Sequence, residues 1–353
     1  MSEPSVIPFP PAALRAADEI NHLAAAGIPF IFVFDFELQR PIVCKLSDAA
    51  NRGIYYNFRG ISNSPAAQIP FTKATPSISC AAFQIVNERY EQAYLHMQRH
   101  LSRGDIYLIN LTQKIPITSE YTLAEIFIAA SAPYRLLIAD QCVVFSPEPF
   151  VRITDRQILT FPMKGTIAAD AYNAENELLR DPKEAAEHAT VVDLLRNDLS
   201  MVASNVRVDR YQYIEKITTA SGGLLQASTQ ISGVLPENFR DSLGSLLCTL
   251  LPAGSISGAP KREALKIIAD VEGEPRGYYT GVCGIYDGRN LESAVMIRFI
   301  EQEAGRYYFR SGGGITFQSD GEREYLEMLG KVTIPLEAES HIKHQNMDSS
   351  RDI

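Results

Sequence analysis

Between Tyr134 and Met163 the chain carries four short apolar runs, YRLLIA, CVVF, FVRI and ILTF, each interrupted within a few residues by Asp, Gln, Pro or Arg. Runs this short, bounded by polar and turn-forming residues, cannot supply the long apolar stripe of a core-facing helix. Their spacing predicts consecutive strands in an antiparallel meander. Further strand patterns occur in PFIFVFDF, RPIVCKLS and DIYLINLTQ, and over 205–217, 279–286, 293–301 and 306–317. Helical spacing appears over 12–26, 84–101, 238–250, 260–270 and 321–332. Two helix starts are written in side chains: Thr122 and Glu125 form a capping box, and Asp181-Pro182-Lys183-Glu184 opens a helix running to about Ser200. Strands and helices do not alternate strictly, which excludes a simple parallel βαβ design. The expected class is α+β, with large antiparallel sheets in a sandwich-like core and helices outside.

No linker divides the chain, so one domain over residues 1–335 is expected, with a shorter N-terminal region over 1–80 and a polar, disordered tail over 336–353. The formal charge of −9 leaves no broad cationic surface, and neither nucleic acid nor an anionic membrane is an expected partner. No apolar run approaches the roughly 20 residues that span a bilayer, and no signal-like N-terminus is present, so a cytoplasmic protein is expected. Cys44, Cys80, Cys142, Cys248 and Cys283 are odd in number and scattered, and mostly sit in apolar runs, which predicts buried thiols and no disulfide framework or zinc site.

Three kinds of segment hold more charge or glycine than a core requires. In DPKEAAEHATVVDLLRNDL, helical spacing places Glu184 and Glu187 on one stripe with Val191 and Leu194. Such a stripe could hold a hard cation such as magnesium, but taken alone the segment is better read as a solvated, Glu-rich first turn. In SDGEREYLEMLGKV, Glu324, Glu327 and Lys331 share a face, which could also be a surface stripe with one ion pair. The glycine runs PAGSISGAPK, RGYYTGVCG and RSGGGIT permit close approach of backbone to a ligand, or simply tight turns. PAGSISGAPK lacks P-loop spacing, so ATP is not expected. His96 and His100 lie four apart without the glutamate of a zinc-protease helix, and are read as surface or packing residues.

Together these segments resemble the chorismate-binding enzymes, the family of anthranilate, aminodeoxychorismate, isochorismate and salicylate synthases. The likeness covers residues 84–332 and is carried, in one order, by GDIYLINLTQ, FSPEPFV, FPMKGT, DPKEAAEHATVVDLLRNDL, PAGSISGAPK, RGYYTGVCG, MIRF and RSGGGITFQSDGEREYLEMLGK. The resemblance implies magnesium held by Glu187 and Glu327, with Glu324 more peripheral. It implies substrate carboxylates bound by Arg298 and Lys331, and Ser257, Gly312, Gly313, Gly314, Thr166, Tyr279 and Gln226 lying beside the substrate. Relatives carry histidine at the position of Gln226, which can hydrogen-bond but cannot take a proton as imidazole does. The Leu-Leu-Glu-Ser motif of tryptophan-regulated relatives is not found, so tryptophan inhibition is not expected.

Two positions separate the chemistries within the family. Water-activating relatives have a lysine where this chain has Leu108, and aminodeoxychorismate synthases have a lysine where this chain has Lys164. The resemblance therefore implies Lys164 as nucleophile at C2 of chorismate and Glu148 as acid for the C4 hydroxyl. Ammonia, from a glutamine amidotransferase partner, then gives 4-amino-4-deoxychorismate. Anthranilate formation is the alternative, and a non-catalytic chorismate-binding subunit, suggested by Gln226, is a second.

Overall fold

The computed structural model describes residues 9–64, 78–80, 83–180, 182–219 and 222–336. The predicted cap at Asp181 and the tail beyond Leu336 lie outside these residues. Among the described residues the strands form two antiparallel sheets of nine strands each. The first runs Met163–Ala168, Gly222–Val234, Gln157–Thr160, Pro149–Thr154, Leu291–Val295, Val282–Tyr286, Phe30–Phe34 and Ile42–Lys45, with Ser204–Thr219 also paired to Gly222–Val234. The second runs Gly258–Ala259, Leu108–Thr118, Arg306–Thr316, Phe299–Glu303, Cys142–Ser146, Tyr134–Ile138, Ile54–Phe58 and Ile61–Ser62, with Ser79–Cys80 on Leu108–Thr118. The expected α+β class is observed.

Side-chain alternation explains how the layers stack. In Phe30–Phe34 the odd set, Ile31 and Val33, joins Tyr56, Phe58, Leu136 and Val144 in a cluster between the sheets. Phe30, Phe32 and Phe34 point the other way and join Ile20 of the helix Pro11–Ala25 and Leu247 of the helix Leu243–Leu250. A period of two with apolar residues on both sides builds a strand covered on both faces. Strands from residues 30–62 belong to the same two sheets as those from 134 onward, so the N-terminal segment is integral to the sandwich.

The predicted meander is corrected in one respect. Tyr134–Ile138 and Cys142–Ser146 form a hairpin in the second sheet, whereas Pro149–Thr154 and Gln157–Thr160 form one in the first. The chain changes sheets at Pro147 and Glu148. The strand expected over 293–301 breaks in the same way, into Leu291–Val295 and Phe299–Glu303, with Arg298 between them at a left-handed φ of 53°. The two crossings are bonded to each other: the Val295 amide donates to the Glu148 carbonyl (3.1 Å) and the Phe145 amide to the Arg298 carbonyl (3.0 Å). Proline's missing N–H and an αL residue each stop a ladder locally, which apolar spacing alone does not register.

The Thr122–Glu125 capping box forms as expected, and the helix Pro182–Ser200 begins at its proline. Cys44, Cys142, Cys248 and Cys283 are buried free thiols. Among the described residues no helix is long and apolar enough to cross a membrane.

Candidate active site

The motif segments first hold one another. Arg276, from RGYYTG, is fully buried and makes a two-pronged ion pair with Glu272, with nitrogen–oxygen distances of 2.8 and 2.6 Å. The same guanidinium donates to the carbonyls of Ile256 (2.9 Å) and Asn110 (2.7 Å), and it lies 4.6 Å from the centre of the Phe36 ring. One buried charge thus fixes PAGSISG and LINLT relative to each other. Lys261, which ends PAGSISGAPK, donates to Asp198 of the RNDL segment (3.0 Å) and to the Leu250 carbonyl (3.2 Å). Burial pushes the Asp198 carboxyl up, and the Lys261 charge opposes that shift. These charged motif residues are structural clamps and not ligands of the site.

The clamped segments surround a cleft of about 760 Å³. Glu184, Glu187 and Val191 of the helix Pro182–Ser200 line one wall, so the predicted stripe faces a cavity and not solvent. Glu324, Glu327 and Lys331, from the helix Gly321–Gly330 and its cap, line another. Gly312, Gly313 and Gly314 enter from the strand Arg306–Thr316. Gly312 is obligatory at its position, since a β-carbon there would stand 2.5 Å from the Leu111 carbonyl oxygen.

Glu148 reaches the cleft from the first crossing and accepts a 2.6 Å hydrogen bond from the Ser255 hydroxyl. Arg298 reaches it from the second, donating to the Lys331 carbonyl at 2.6 Å. Burial depresses the Arg298 pKa, opposed by nearby Tyr279, yet arginine keeps its charge near neutrality. Tyr279 is buried in the wall, and burial raises its phenol. The Lys331 ammonium donates to the Gly312 carbonyl (3.1 Å) and pairs with Glu327 (2.9 Å). Gln226 also lines the cleft and sits opposite Thr166 in the sheet.

Lys164 and Thr166 have their backbone in the strand Met163–Ala168, while their side chains lie outside the described structure. Met163, Gly165 and Ile167 of this strand line the cleft. The ladder shifts register between Lys164 and Thr166, where Gly165 takes a left-handed φ of 69°. A β-carbon on Gly165 would approach Leu178 to 2.8 Å, so both the conformation and the fit call for glycine.

One expectation is corrected. Ser257 is 0% exposed and does not line the cleft, because its hydroxyl turns back to the Ala253 carbonyl (3.0 Å) within the single helical turn Gly254–Ser257. Ser255 is the serine of this turn that faces the cavity. Both serines lie in the same motif, and only the direction of the turn separates them. The two C-terminal carboxylates differ in burial: Glu324 is 7% exposed, whereas the Glu327 side chain is 63% exposed and paired with Lys331. The helix rotates to bury Glu324 with Tyr325 and Met328.

Glu187 is 8% exposed, so Glu187 and Glu324 are two buried carboxylates on separate helices facing one cleft. Among the described residues no three His, Cys, Asp or Glu side chains converge into a ready ligand set. Magnesium commonly takes only one or two protein carboxylates and completes its shell with water and substrate oxygens. Carboxylate oxygens are the donor type such a cation takes.

A residue not anticipated is Asn110, which lines the cleft from the strand Leu108–Thr118. Its signal was present as a lone amide within the apolar run YLINL. Leu108, two residues away, is buried and lies between Thr316 and Ala259 in the sheet.

The sequence profile of the chorismate binding enzymes matches residues 13–337. A Haemophilus influenzae protein described as an uncharacterized PabA-like protein is 46% identical over 324 residues, spanning 91% of this chain and 96% of that protein. Anthranilate synthase component 1 of Saccharomyces cerevisiae is 30% identical over 288 residues, 76% of this chain and 55% of the yeast protein. The menaquinone-specific isochorismate synthase of Escherichia coli shares the fold with a TM-score of 0.66 at 17% identity, covering 90% of this chain and 80% of that one. With this match over most of its length, and with the family's segments folded around a single cleft, the chain belongs to the chorismate binding enzyme family.

Proposed function

We propose that the chain is component I of an aminodeoxychorismate synthase, converting chorismate and ammonia to 4-amino-4-deoxychorismate. What supports this reading is a lysine at position 164, on a strand that borders the same cleft as Glu148, Arg298 and Lys331, where a register shift at Gly165 interrupts simple alternation.

Each proposed role follows from the chemistry of its group. Arg298 and Lys331 offer cationic donors for the substrate carboxylates, and the planar guanidinium suits a carboxylate best. Glu187 and Glu324 would hold magnesium, which when bound supplies Lewis-acid attachment for a carboxylate of the substrate. The neutral amine of Lys164 attacks C2 of chorismate, the ring double bonds shift, and the C4–O bond breaks. Glu148 gives its proton to the departing hydroxyl, which leaves as water. Ammonium then returns a proton to the Glu148 carboxylate. The resulting ammonia bonds to C4, the double bonds shift back, and the C2–N bond to Lys164 breaks. Atoms and charge balance: chorismate and ammonium give the protonated amine and water, and both side chains are restored. Ammonia is drawn from a glutamine amidotransferase partner.

A second reading, anthranilate synthase component I, is favoured by the 30% identity to the yeast enzyme. Purified protein with chorismate, magnesium and ammonium tests both. Aminodeoxychorismate without pyruvate supports the proposal, anthranilate with pyruvate supports the second reading, and no turnover removes both. Lys164→Ala abolishes aminodeoxychorismate formation in a folded protein, and wild-type rates in that variant would remove the nucleophile.

A further inference from the structure

The side-chain oxygen of Asn110 is buried and has no hydrogen-bond partner among the described residues, although the residue forms part of the cleft wall. Buried acceptors left unpaired are uncommon and disfavoured, and a site that binds a ligand is where one is tolerated, because the ligand completes it. The location of this oxygen narrows what the ligand must offer. Asn110 is anchored through its own carbonyl to Arg276, and the same guanidinium anchors Ile256. Ile256 follows Ser255, whose hydroxyl holds Glu148. The unpaired amide oxygen is therefore tied by a short chain of bonds to the acid at which, on the proposed function, one group leaves C4 and another arrives.

An amide oxygen accepts hydrogen bonds only. The carboxylates of the substrate, also acceptors, cannot satisfy it, and the C4 hydroxyl can do so only until it leaves as water. Incoming ammonia can, since it presents N–H donors while its lone pair remains free to attack. We infer that Asn110 receives the ammonia, its side-chain oxygen taking one N–H so that the nitrogen lone pair is directed at C4. Asn110 is then a determinant of nucleophile use, separate from the residues that grip chorismate. The assignment rests on the proposed function for the identity of the nucleophile.

The test is steady-state kinetics with ammonium and chorismate varied in turn, on wild type, Asn110→Leu and Asn110→Asp, with thermal melting to verify folding and mass analysis of the product. Leucine has nearly the shape of asparagine and no acceptor. In Asn110→Leu the KM for ammonium rises roughly three- to tenfold, the worth of one hydrogen bond, while the KM for chorismate stays within about twofold. Asn110→Asp keeps an acceptor, so its ammonium KM does not rise, which separates the assignment from a general disturbance of the strand. An unchanged ammonium KM in Asn110→Leu, or a rise confined to chorismate, overturns it. Product analysis of wild type reads the underlying function independently. Anthranilate in place of aminodeoxychorismate overturns the proposed product and attack at C4, and the ammonium measurement then decides only whether Asn110 receives ammonia, whereas absence of turnover in wild type overturns both.

Discussion

The Ser255 hydroxyl donates to Glu148 at 2.6 Å, joining a one-turn helix to the point where the chain passes from one sheet to the other. The carboxylate proposed to deliver a proton is thus positioned by a residue held on a separate segment. Glu148→Gln is expected to lower kcat by roughly 10²- to 10⁴-fold, the range for loss of a general acid. Ser255→Ala is expected to lower it by roughly 10- to 100-fold, as a hydrogen bond to a carboxylate is lost. The pH profile of kcat also moves in Ser255→Ala, which a purely structural serine would not cause. Stopped assays across pH on both variants measure this.

Removal of the Arg276 clamp is expected to act on stability before chemistry. Arg276→Met leaves Glu272 buried without its counter-charge and frees the carbonyls of Ile256 and Asn110. Breaking a buried pair from one side costs about 3–5 kcal/mol. Denaturant unfolding of the variant should show that loss, whereas a change within about 0.5 kcal/mol would place the pair among ordinary surface interactions.

Chelation should distinguish the two buried carboxylates from the exposed one. Turnover is expected to stop on treatment with a chelator and to return with magnesium. Glu187→Gln and Glu324→Gln should each raise the magnesium concentration needed for half-maximal rate, by more than Glu327→Gln does. A larger effect from Glu327 would reverse the order that burial sets.

The turn between Val282–Tyr286 and Leu291–Val295 gives a pH prediction. Partial burial raises the Asp287 pKa, but the amides of Asn290 and Arg289 outweigh it, so the carboxyl is held below its ordinary value of 3.8. The folded state therefore binds this proton less readily than the unfolded chain. The stabilisation is complete above the unfolded value and is lost as pH falls through the lowered folded one. Asp287→Ala should melt below wild type near pH 7, and the gap should narrow at about pH 3. A gap independent of pH would remove the charge from the explanation.

Apolar spacing identified many of the strands and helices, because burial on one or both faces imposes a period that local sequence displays, but it left the strands Ile54–Phe58, Met163–Ala168 and Gly222–Val234 unread. The stripes of Glu184 with Glu187 and of Glu324 with Glu327 and Lys331 were equally legible, yet spacing could not say whether they faced water or a cavity. That depended on which elements packed opposite them. Of the two crossings between sheets, which bring Glu148 and Arg298 to the cleft, the first was read as a turn within one meander and the second as part of a single strand over 293–301, since a change of sheet at one proline or one left-handed residue leaves the apolar spacing unaltered. The choice of Ser255 over Ser257, the burial of Glu324 and the unpaired oxygen of Asn110 left no local trace. Residue types and their order along the chain determined the family and the chemistry available to it. Which of those groups meet was decided only by tertiary structure, because the direction a side chain faces is set by packing against segments more than a hundred residues away.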